Sequence, residues 1–509
     1  MLNRRLDALL ELLRHHRLYN QFSISLMTAS AVIILSHLRL PLTGDQALYL
    51  YGAKAMDAGE VLYKDFWDVK QPGVYIFYWL AGRLFGFDAL GLHIMEAIWL
   101  AAAAYLATDM AARSIRSPLI RRVLPLTSVG CFYVAASAWH LTQPDGLVAL
   151  PIVLGAWAIC GHFDPGPISS GRLFIVGVSA GLAGLFVTTM LVVPLGLLLT
   201  AVWSRWHRSQ RRTCWPGLAG YFAVAAGFLA VVGVMLAWFA AKGALAEMLW
   251  TNFSHPFASY VERDREVSQM AGSVKWFVEA TLCWQPLALL GCLVTLRREM
   301  HGDAGALPGL LAMSWIGLAA CGILLQYRYF WAFHFNQMFV PFGILAALGI
   351  EAVLRQLRVT PRLGAKRLAY IAILAAALAF PCLVTLKVYR LVSAVPQADQ
   401  YAQSAAGAVG HANPNDRIFV FGNPRILLAS GLRQAVPENG WALELLTADQ
   451  WLTFGERIKR ARPAFVYLDT GYDNLLTAEQ PAIKRWLIAE YRVVARDTLG
   501  GTWFAATYE

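Results

Sequence analysis

Long apolar runs dominate the first 391 residues of the chain, and most are close to the length of a transmembrane helix. A helix crosses the hydrocarbon core of a bilayer with roughly 20 consecutive apolar residues. The run at 173–203 is too long for one upright helix, so we predict that it breaks near Phe186–Thr189 into two. The pattern therefore predicts about eleven transmembrane helices. They lie at residues 21–38, 89–112, 123–139, 144–161, 173–203, 215–241, 276–296, 307–326, 335–354 and 368–390.

The pattern of hydrophobic positions changes near residue 392 to that of a soluble domain. Short apolar segments followed by turn residues, RIFVFG (417–422) and AFVYLD (464–469), predict β-strands. TADQWLTFGERIKRAR and TAEQPAIKRWLIAEY predict amphipathic helices, and YRVVAR and TWFAATY predict closing strands. We therefore predict two domains, a transmembrane domain at 1–391 and a small α/β domain at 392–509.

Composition supports a membrane protein. The 509 residues are 58% hydrophobic and only 15% charged, whereas a soluble domain carries roughly 25% charged residues. The net charge of +11 would suit a nucleic-acid partner, but the basic residues cluster in short loops between apolar runs. That placement is typical of membrane proteins, so we predict a lipid bilayer and no nucleic acid as partner.

The loops rich in arginine all fall on one side of the predicted spans. They share that side with the basic N-terminal segment MLNRRLDALLELLRHHRLYN, which predicts an interfacial amphipathic helix. Because positively charged loops stay in the cytoplasm, we predict a cytoplasmic N-terminus, an uncleaved first span and a periplasmic C-terminal domain. The expected location is a bacterial inner membrane. The basic loops contain Arg113, Arg116, Arg121 and Arg122, then Arg205, Arg208, Arg211 and Arg212, then Arg355, Arg358, Arg362, Lys366 and Arg367.

The first outer loop, 39–88, contains two short segments of helical pattern, at 45–58 and 73–86. Both are too short or too interrupted to span a bilayer. We therefore predict two interfacial helices at the membrane surface, with the charged stretch YKDFWDVKQPGVY (63–75) between them.

That charged stretch is the first candidate site. Phe66 and Trp67 are expected to anchor at the lipid headgroups, where aromatic rings are enriched. Asp65, Asp68 and Lys70 either solvate the loop or bind substrate. Two helices that frame a charged turn favour substrate binding. For each of the three residues taken singly, a solvated loop and substrate binding both stay open.

Polar residues at the mouths of later spans give further candidates. In SAWHLTQPDGLVALP, Asp145 follows a proline at a helix start, where an acid gains about 0.3–1 kcal/mol from the helix dipole or serves a function. In QYRYFWAFHFNQMFVPFG, an aromatic belt accounts for the rings but not for His334 and Gln337. Arg328 there is either a snorkelling residue or a phosphate ligand. His255 lies in the outer segment 242–275, which we expect to be a mobile loop over a site.

The familiar sequence signatures of soluble enzymes are absent from the chain. It has no phosphate-binding Gly-rich loop, GxSxG, HExxH or Rossmann fingerprint. A nucleotide-sugar or ATP site is therefore not predicted.

Three segments together resemble the GT-C glycosyltransferases: GEVLYKDFWDVKQPGVYIFYWLAGRLFG, TQPD and FHFNQMFVPFGILAALG. The closest group is the protein O-mannosyltransferase/aminoarabinose-transferase superfamily (glycosyltransferase family 39-like). The resemblance covers nearly the whole membrane domain. It implies a sugar donor linked to polyprenyl phosphate, which explains the lack of a nucleotide site.

By position, the resemblance implies that Asp45 is the catalytic acid of the first loop, that Lys70 is the lysine of a KPP-like motif, and that Asp145 is the second acidic position. Gln46 departs from the family's Asp-Glu pair, and KQPG replaces KPPL. The first departure weakens a paired-carboxylate or metal site. Binding of a divalent metal around Asp45 and Asp145 remains an open alternative, although no ligand spacing demands one.

The implied chemistry is transfer of the sugar with inversion to a hydroxyl of a glycolipid, polysaccharide or protein. Asp45 would act as general base, and Lys70, with Arg328, would stabilise the phosphate that leaves. A transporter or flippase of lipid-linked sugars is the alternative. It would be expected to show inverted repeats and broken helices at mid-bilayer, and the sequence has neither signal. A partner protein without catalysis is a third interpretation, disfavoured by the retained charged residues.

Overall fold

The chain divides into two compact units, each built from three segments of sequence. The first unit comprises Met1–Leu40, His93–Val234 and Arg265–Ala394, and the second comprises Pro41–Leu92, Met235–Asp264 and Val395–Glu509. The computed structural model describes residues 28, 30–161, 168–209, 217–260, 267–325, 330–359, 382–393 and 399–507. The predicted N-terminal interfacial helix and Arg328 lie outside the described residues.

The first unit is helical throughout its described part. Several helices are interrupted near one end by short π or 3₁₀ turns, for example at Leu126–Gly130 and Ala332–Met338. Residues 30–37 and 382–393 are also helical. The remaining helices are Ala89–Ala111, Pro118–Pro125, Cys131–Ala135, Pro144–Leu147, Ala149–Cys160, Ser170–Phe186, Val192–Ser209, Leu218–Ala241, Val267–Thr281, Gln285–Met300, Leu307–Leu325 and Phe339–Val359.

Six stretches of the described chain are long and apolar enough to cross a membrane, and two shorter apolar helices accompany them. The predicted spans at 21–38 and 368–390 fall partly outside the described residues, so the count of eleven stays a prediction. The predicted break is confirmed, because a helix ends at Phe186, Val187 is extended, and a 3₁₀ turn leads into the next helix at Val192. The six stretches are Ala89–Ala111, Thr188–Arg208, Leu218–Ala241, Gln269–Met300, Ala304–Leu325 and Ala332–Arg355.

A pair of glycines brings two helices of the first unit into backbone contact. A Cβ atom at Gly291 would lie 2.0 Å from the Leu345 carbonyl oxygen, and one at Gly349 would lie 1.9 Å from that of Leu287. Small residues allow such close approach between helices in lipid. This contact fixes the Phe339–Val359 helix, which begins directly after the 3₁₀ turn that carries His334 and Gln337.

Two of the loops predicted to be cytoplasmic meet in the first unit. The Glu351 carboxylate accepts hydrogen bonds of 3.3 Å from the backbone N–H groups of Arg116 and Ser117. It also accepts one of 2.7 Å from Arg355. The charge pattern assigns these two loops to the same side of the membrane, and the structure places their span ends in contact. That this side is cytoplasmic stays a prediction.

The second unit contains a five-stranded sheet near the C-terminus. Its strand order is β2-β1-β3-β5-β4. β1 pairs in parallel with β2 and β3, and β5 pairs antiparallel with β3 and β4. The four predicted strands and both predicted helices are confirmed, the helices as Ala448–Ala461 and Pro481–Glu490. β2, the two helices at either side of β1 and the helix Thr470–Glu479 are additional. The strands are Arg417–Phe421, Arg433–Gln434, Phe465–Leu468, Tyr491–Arg496 and Thr502–Ala506 (β1 to β5). The helices are Gln400–Val409, Pro424–Ser430, Ala448–Ala461, Thr470–Glu479 and Pro481–Glu490.

The two helices predicted for the first outer loop are confirmed as Gly44–Asp57 and Pro72–Phe85. They belong to the second unit and pack through aromatic rings. The ring of Tyr49 meets those of Tyr75 and Tyr78 edge-on, with centroids 5.8 Å and 5.5 Å apart. Their predicted position on the membrane surface stays a prediction.

The sequence prediction for Phe66 and Trp67 was wrong. Instead of reaching lipid headgroups, Phe66 is 2% exposed and Trp67 is 6% exposed. Phe66 packs edge-on against Tyr75, and the Trp67 indole N–H donates a 3.0 Å hydrogen bond to the Thr251 hydroxyl. The charged stretch is therefore held inside the second unit by its own aromatic residues, because burial of large rings is strongly favourable.

The described part of segment 242–275 is mainly helical rather than a mobile loop. Short helices at Leu245–Leu249 and His255–Tyr260 flank a π turn at Trp250–Ser254. Thr251 and Asn252 of this turn are buried. The expectation of a mobile cover is thus corrected for residues 245–260.

Candidate functional site

Asp45 stands in the first turn of the Gly44–Asp57 helix. The backbone N–H of Thr43, at the N-cap, donates a 2.8 Å hydrogen bond to the side-chain oxygen of Gln46. Gln46 thus satisfies a backbone group at the helix start, which is a structural reason for an amide at this position. The Asp45 carboxylate accepts a 2.7 Å hydrogen bond from the indole N–H of Trp441.

Close contact with Trp441 requires the glycine before Asp45. A Cβ atom on Gly44 would lie 2.2 Å from the indole ring, far inside van der Waals contact. Glycine therefore lets the ring lie against the helix start while its N–H reaches the carboxylate.

Asn439 connects the charged stretch to Trp441. Its side-chain N–H₂ donates to the Trp67 carbonyl at 3.0 Å and lies 3.5 Å from the Asp68 carboxylate. Its side-chain oxygen accepts from the backbone N–H groups of Trp441 and Ala442, both at 3.1 Å. One amide side chain therefore holds the turn that carries the hydrogen-bond donor to Asp45.

Asp68 is buried, with 2% exposure, and accepts a 2.7 Å hydrogen bond from the Tyr75 hydroxyl. Burial raises the pKa of the Asp68 carboxyl, and the charge of Asp45 raises it further. The Tyr75 hydrogen bond and the Lys70 ammonium lower this pKa. The charges of Lys70 and Asp45 therefore both act on the buried Asp68 carboxyl.

Lys70 follows a tight turn. The Tyr63 hydroxyl donates a 2.7 Å hydrogen bond to the Lys70 carbonyl, and the backbone N–H of Tyr63 donates to the Phe66 carbonyl at 2.6 Å. Tyr63 has a φ of 70°, a conformation that costs free energy for a bulky residue. Residues in such conformations often lie in functional segments. Here the Tyr63 hydroxyl holds the backbone of the half-buried Lys70.

Asp65 has a different environment from Asp68. Its side chain is exposed, and one carboxylate oxygen accepts a 2.8 Å hydrogen bond from the backbone N–H of Val61. This contact closes the turn at the start of the charged stretch. The geometry favours the solvated-loop interpretation for Asp65.

His255 is 1% exposed. It lies between two indole rings, with centroid distances of 5.2 Å to both Trp67 and Trp250. Its Nε2 atom lies 3.0 Å from the Leu445 carbonyl. Burial lowers the pKa of the His255 imidazole, so a packing role accounts for this residue.

In the first unit, Asp145 and His334 come together from separate helix starts. Their Oδ1 and Nδ1 atoms are 3.2 Å apart, and both side chains are buried. Asp145 follows Pro144 in the Pro144–Leu147 turn, as predicted. His334 lies in the 3₁₀ turn before the Phe339–Val359 helix.

Gln337 and Asn336, also in that 3₁₀ turn, hold neighbouring segments in place. Gln337 is fully buried, and its side-chain N–H₂ lies 3.1 Å from the Met190 sulfur. Asn336 donates a 2.8 Å hydrogen bond to the carbonyl of His140. The imidazole of His140 stacks on the ring of Trp276 at a centroid distance of 4.3 Å. These contacts tie the segment before Asp145 to the one that carries His334.

Sequence reasoning missed Glu96, which supports the turn before Asp145. Thr142 has a φ of 50°, and its backbone N–H donates to the Glu96 carboxylate. Glu96 is 2% exposed and lies in the Ala89–Ala111 helix. A carboxylate inside an apolar run is costly in lipid and signals a specific partner, so this signal was available in the sequence.

The missed residues of the second unit, Trp441 and Asn439, had a weaker signal. They belong to the segment PENGWALE, which reads as a turn with one aromatic residue. Among the residues that the structure describes, no three His, Cys, Asp or Glu side chains form a group that could hold a metal ion.

The fold of the whole chain is similar to that of ArnT. The crystal structure of ArnT from Cupriavidus metallidurans bound to undecaprenyl phosphate superposes with a TM-score of 0.61 at 13% identity, covering 96% of this chain and 99% of that one. The apo structure of the same protein gives a TM-score of 0.58 at 14% identity, with the same coverage. No protein family profile and no curated protein matches the sequence. The similarity confirms the predicted GT-C fold.

Proposed function

We propose that the protein is an inverting glycosyltransferase that moves a sugar from a polyprenyl-phosphate donor to a hydroxyl group of an extracytoplasmic acceptor. The observation that carries this proposal is the Asp45 carboxylate held at a helix start by the Trp441 indole, in the unit that also contains Lys70. Transfer of a sugar from a phosphate to a hydroxyl requires a base for the hydroxyl and a cation for the leaving phosphate, and a carboxylate and an ammonium can serve in these roles. The similarity to a fold that binds undecaprenyl phosphate in ArnT supports this donor class.

Asp45 is the proposed general base. It removes the proton from the acceptor hydroxyl as that oxygen attacks the anomeric carbon, and the bond from this carbon to the phosphate oxygen breaks. The Trp441 indole fixes one carboxylate oxygen at 2.7 Å and leaves the other for the acceptor. A direct displacement of this kind inverts the sugar carbon.

Lys70 is the proposed ligand of the leaving phosphate. Its ammonium neutralises negative charge that grows on the phosphate oxygens as the sugar leaves. Asp68, buried beside it, holds the turn through Tyr75 and Asn439. Asp68 is thus proposed as a positioning residue.

In the first unit, we propose that Asp145 orients the imidazole of His334. The Asp145 carboxylate lies 3.2 Å from Nδ1 of the imidazole. The opposite edge of the ring, which carries Nε2, therefore points away from Asp145. That edge suits a polar group of the substrate, and an imidazole N–H is a good donor to phosphate or hydroxyl oxygens. This assigns a role to the second acidic position.

A membrane transferase assay tests the proposal. Asp45→Asn should lower the transfer of sugar by at least about a hundredfold, because a general base contributes 10²–10⁴-fold. The measurement is mass spectrometry of envelope glycans and polyprenyl lipids from cells that carry only the variant. The unconsumed lipid-linked donor should accumulate, and one glycan modification should disappear.

Asp65→Asn in the same loop is the matched control and should leave the modification at the wild-type level. Wild-type transfer by Asp45→Asn would refute the assignment of the base. A flippase would also retain its activity in this variant, since moving a lipid needs no general base. The outcome therefore separates the transferase from the transporter alternative.

A further inference from the structure

The second unit contains an open cavity of about 810 Å³. The charged stretch and the turn before Trp441 form one wall of it. The backbone N–H of Trp67 donates a 2.8 Å hydrogen bond to the Pro437 carbonyl, and Trp67 forms an isolated parallel bridge with Glu438. The side chains of Trp67 and Glu438 line the cavity.

This bridge separates the cavity from the proposed reaction centre. Consecutive side chains of extended backbone point to opposite sides. Trp67 and Glu438 face the cavity, whereas the next residues, Asp68 and Asn439, contact each other. A molecule in the cavity would therefore lie behind the wall that carries Asp68.

Glu438 offers a buried acceptor to such a molecule. It is 7% exposed, and one carboxylate oxygen is 2.5 Å from the Arg457 guanidinium. Its other oxygen, Oε2, has no hydrogen-bond partner within the described parts of the chain. A buried carboxylate oxygen requires a donor, and because Arg457 already supplies the positive charge, a neutral hydroxyl fits better than a second cation.

Aromatic and mixed-charge groups complete the lining. The Trp250 ring is 39% exposed and lies at the cavity with the edge of Trp67. Lys64 adds one positive charge to the lining, and Glu247 and Asp449 add two negative charges. A lining of this kind is too polar for acyl chains and not basic enough for a lipid phosphate, but exposed indoles beside hydrogen-bonding groups suit the rings and hydroxyls of sugars.

We propose that this cavity binds a glycan segment of the acceptor, with a sugar ring against Trp250 and a sugar hydroxyl donating to Glu438. The inference rests on the proposed function and makes it narrower, because it selects a glycan among the acceptor classes. The bound segment is distinct from the hydroxyl that reacts at Asp45. The cavity therefore determines which acceptor is recognised rather than how fast the sugar is transferred.

Direct binding to the purified full-length protein in lipid nanodiscs tests this proposal. The probes are three neutral hexasaccharides, maltohexaose, cellohexaose and mannohexaose, and binding is measured by saturation-transfer NMR and by tryptophan fluorescence. The wild-type protein should bind at least one of them. Trp250→Ala should weaken that binding about tenfold, as loss of an aromatic anchor does, and Glu438→Gln about fivefold, as loss of a charge-assisted hydrogen bond does.

The control is Leu452→Ala, because Leu452 is 72% exposed on the same helix as Arg457 and does not line the cavity. It should bind as the wild type does. Absence of binding to all three probes, or binding that neither cavity variant weakens, would overturn the proposal. Binding of undecaprenyl phosphate is measured on the same preparations. If the wild-type protein did not bind undecaprenyl phosphate, that result would count against the proposed function alone. Trp250→Ala should still bind this lipid, which would show that the variant affects glycan binding and not donor binding.

Discussion

The two clusters of candidate site residues, one in each unit, are held in different ways. In the second unit, Asp45 and Asp68 are fixed by side chains from the turn at 439–442, far away in the sequence. In the first unit, Asp145 and His334 stand at the starts of helices whose backbones are locked by apolar packing and glycine contacts. Hydrogen bonds from a distant turn position the first cluster, and helix packing positions the second.

The difference predicts how each cluster fails. In the second unit, replacing Trp441 removes a hydrogen bond from the partly exposed Asp45 and leaves the helices intact. In the first unit, a comparable substitution leaves a buried polar group without a partner and lowers stability. Loss of activity with retained stability is therefore expected at the Trp441–Asp45 pair, and loss of both is expected at the turn before Asp145.

After Asp45→Asn, the largest effect is expected for Lys70→Gln. It should lower kcat/KM for transfer by about 10²–10³-fold, because removal of a group that stabilises transition-state charge has that consequence. The thermal midpoint should stay within about 2 °C of the wild type, as for most substitutions of partly exposed residues. Lys54→Gln, at an exposed position in the Gly44–Asp57 helix, is the control and should change neither quantity. A Lys70→Gln protein with wild-type kcat/KM would remove Lys70 from the mechanism.

Trp441→Phe should have the next largest effect. The smaller phenyl ring cannot donate to Asp45, and it also lacks the outer ring of the indole that lies against Gly44. We expect kcat to fall about tenfold, the cost of one hydrogen bond to a charged group, while KM for the donor lipid is unchanged. Steady-state kinetics with varied donor concentration distinguishes the two constants. A rise in KM with unchanged kcat would show that Trp441 serves donor binding instead.

Glu96→Ala tests the first unit. It leaves the buried N–H of Thr142 without its acceptor, in a turn with φ of 50°. The free energy of unfolding should fall by about 1–3 kcal/mol, and activity should fall with it. Glu96→Gln keeps a side-chain oxygen for that N–H and should restore most of both. If Glu96→Ala unfolds at the wild-type temperature, the turn before Asp145 is held by other contacts.

The smallest effect concerns pH and Asp68. Its pKa is raised in the folded state, chiefly by burial, so ionisation of Asp68 destabilises the fold as pH rises through that pKa. Below the pKa of an unfolded Asp, about 3.9, the carboxyl is neutral in both states and this cost is absent. Asp68→Asn should therefore raise the thermal midpoint by about 2–4 °C at pH 8 and by less at pH 4. Calorimetry at the two pH values measures this difference, and an equal shift at both would contradict the assignment.

Local patterns in the sequence predicted much of the fold. The break at Phe186, the helices that flank the charged stretch and four of the five strands follow from hydrophobic periodicity and turn residues within short windows. β2 escaped prediction because it has only two residues, Arg433 and Gln434, which is too short for any periodicity.

The supports of the candidate site were harder to predict than the fold. Asp45 and Lys70 came from the resemblance, and their catalytic roles stay predictions. Trp441 could not be paired with Asp45 from sequence, because the two are 396 residues apart and no pattern links a tryptophan to one distant carboxylate. Phe66 was misassigned because an aromatic residue beside a span looks the same whether it faces lipid or packs inside a unit.

The bond between Trp441 and Asp45 also has a consequence for how the protein is made. Synthesis proceeds from the N-terminus, so Asp45 emerges from the ribosome long before its indole partner. Until Trp441 has been synthesised and its turn has folded against Gly44, the helix start lacks this contact. A chain that is truncated or stalled before that residue therefore lacks the indole that holds its Asp45 carboxylate.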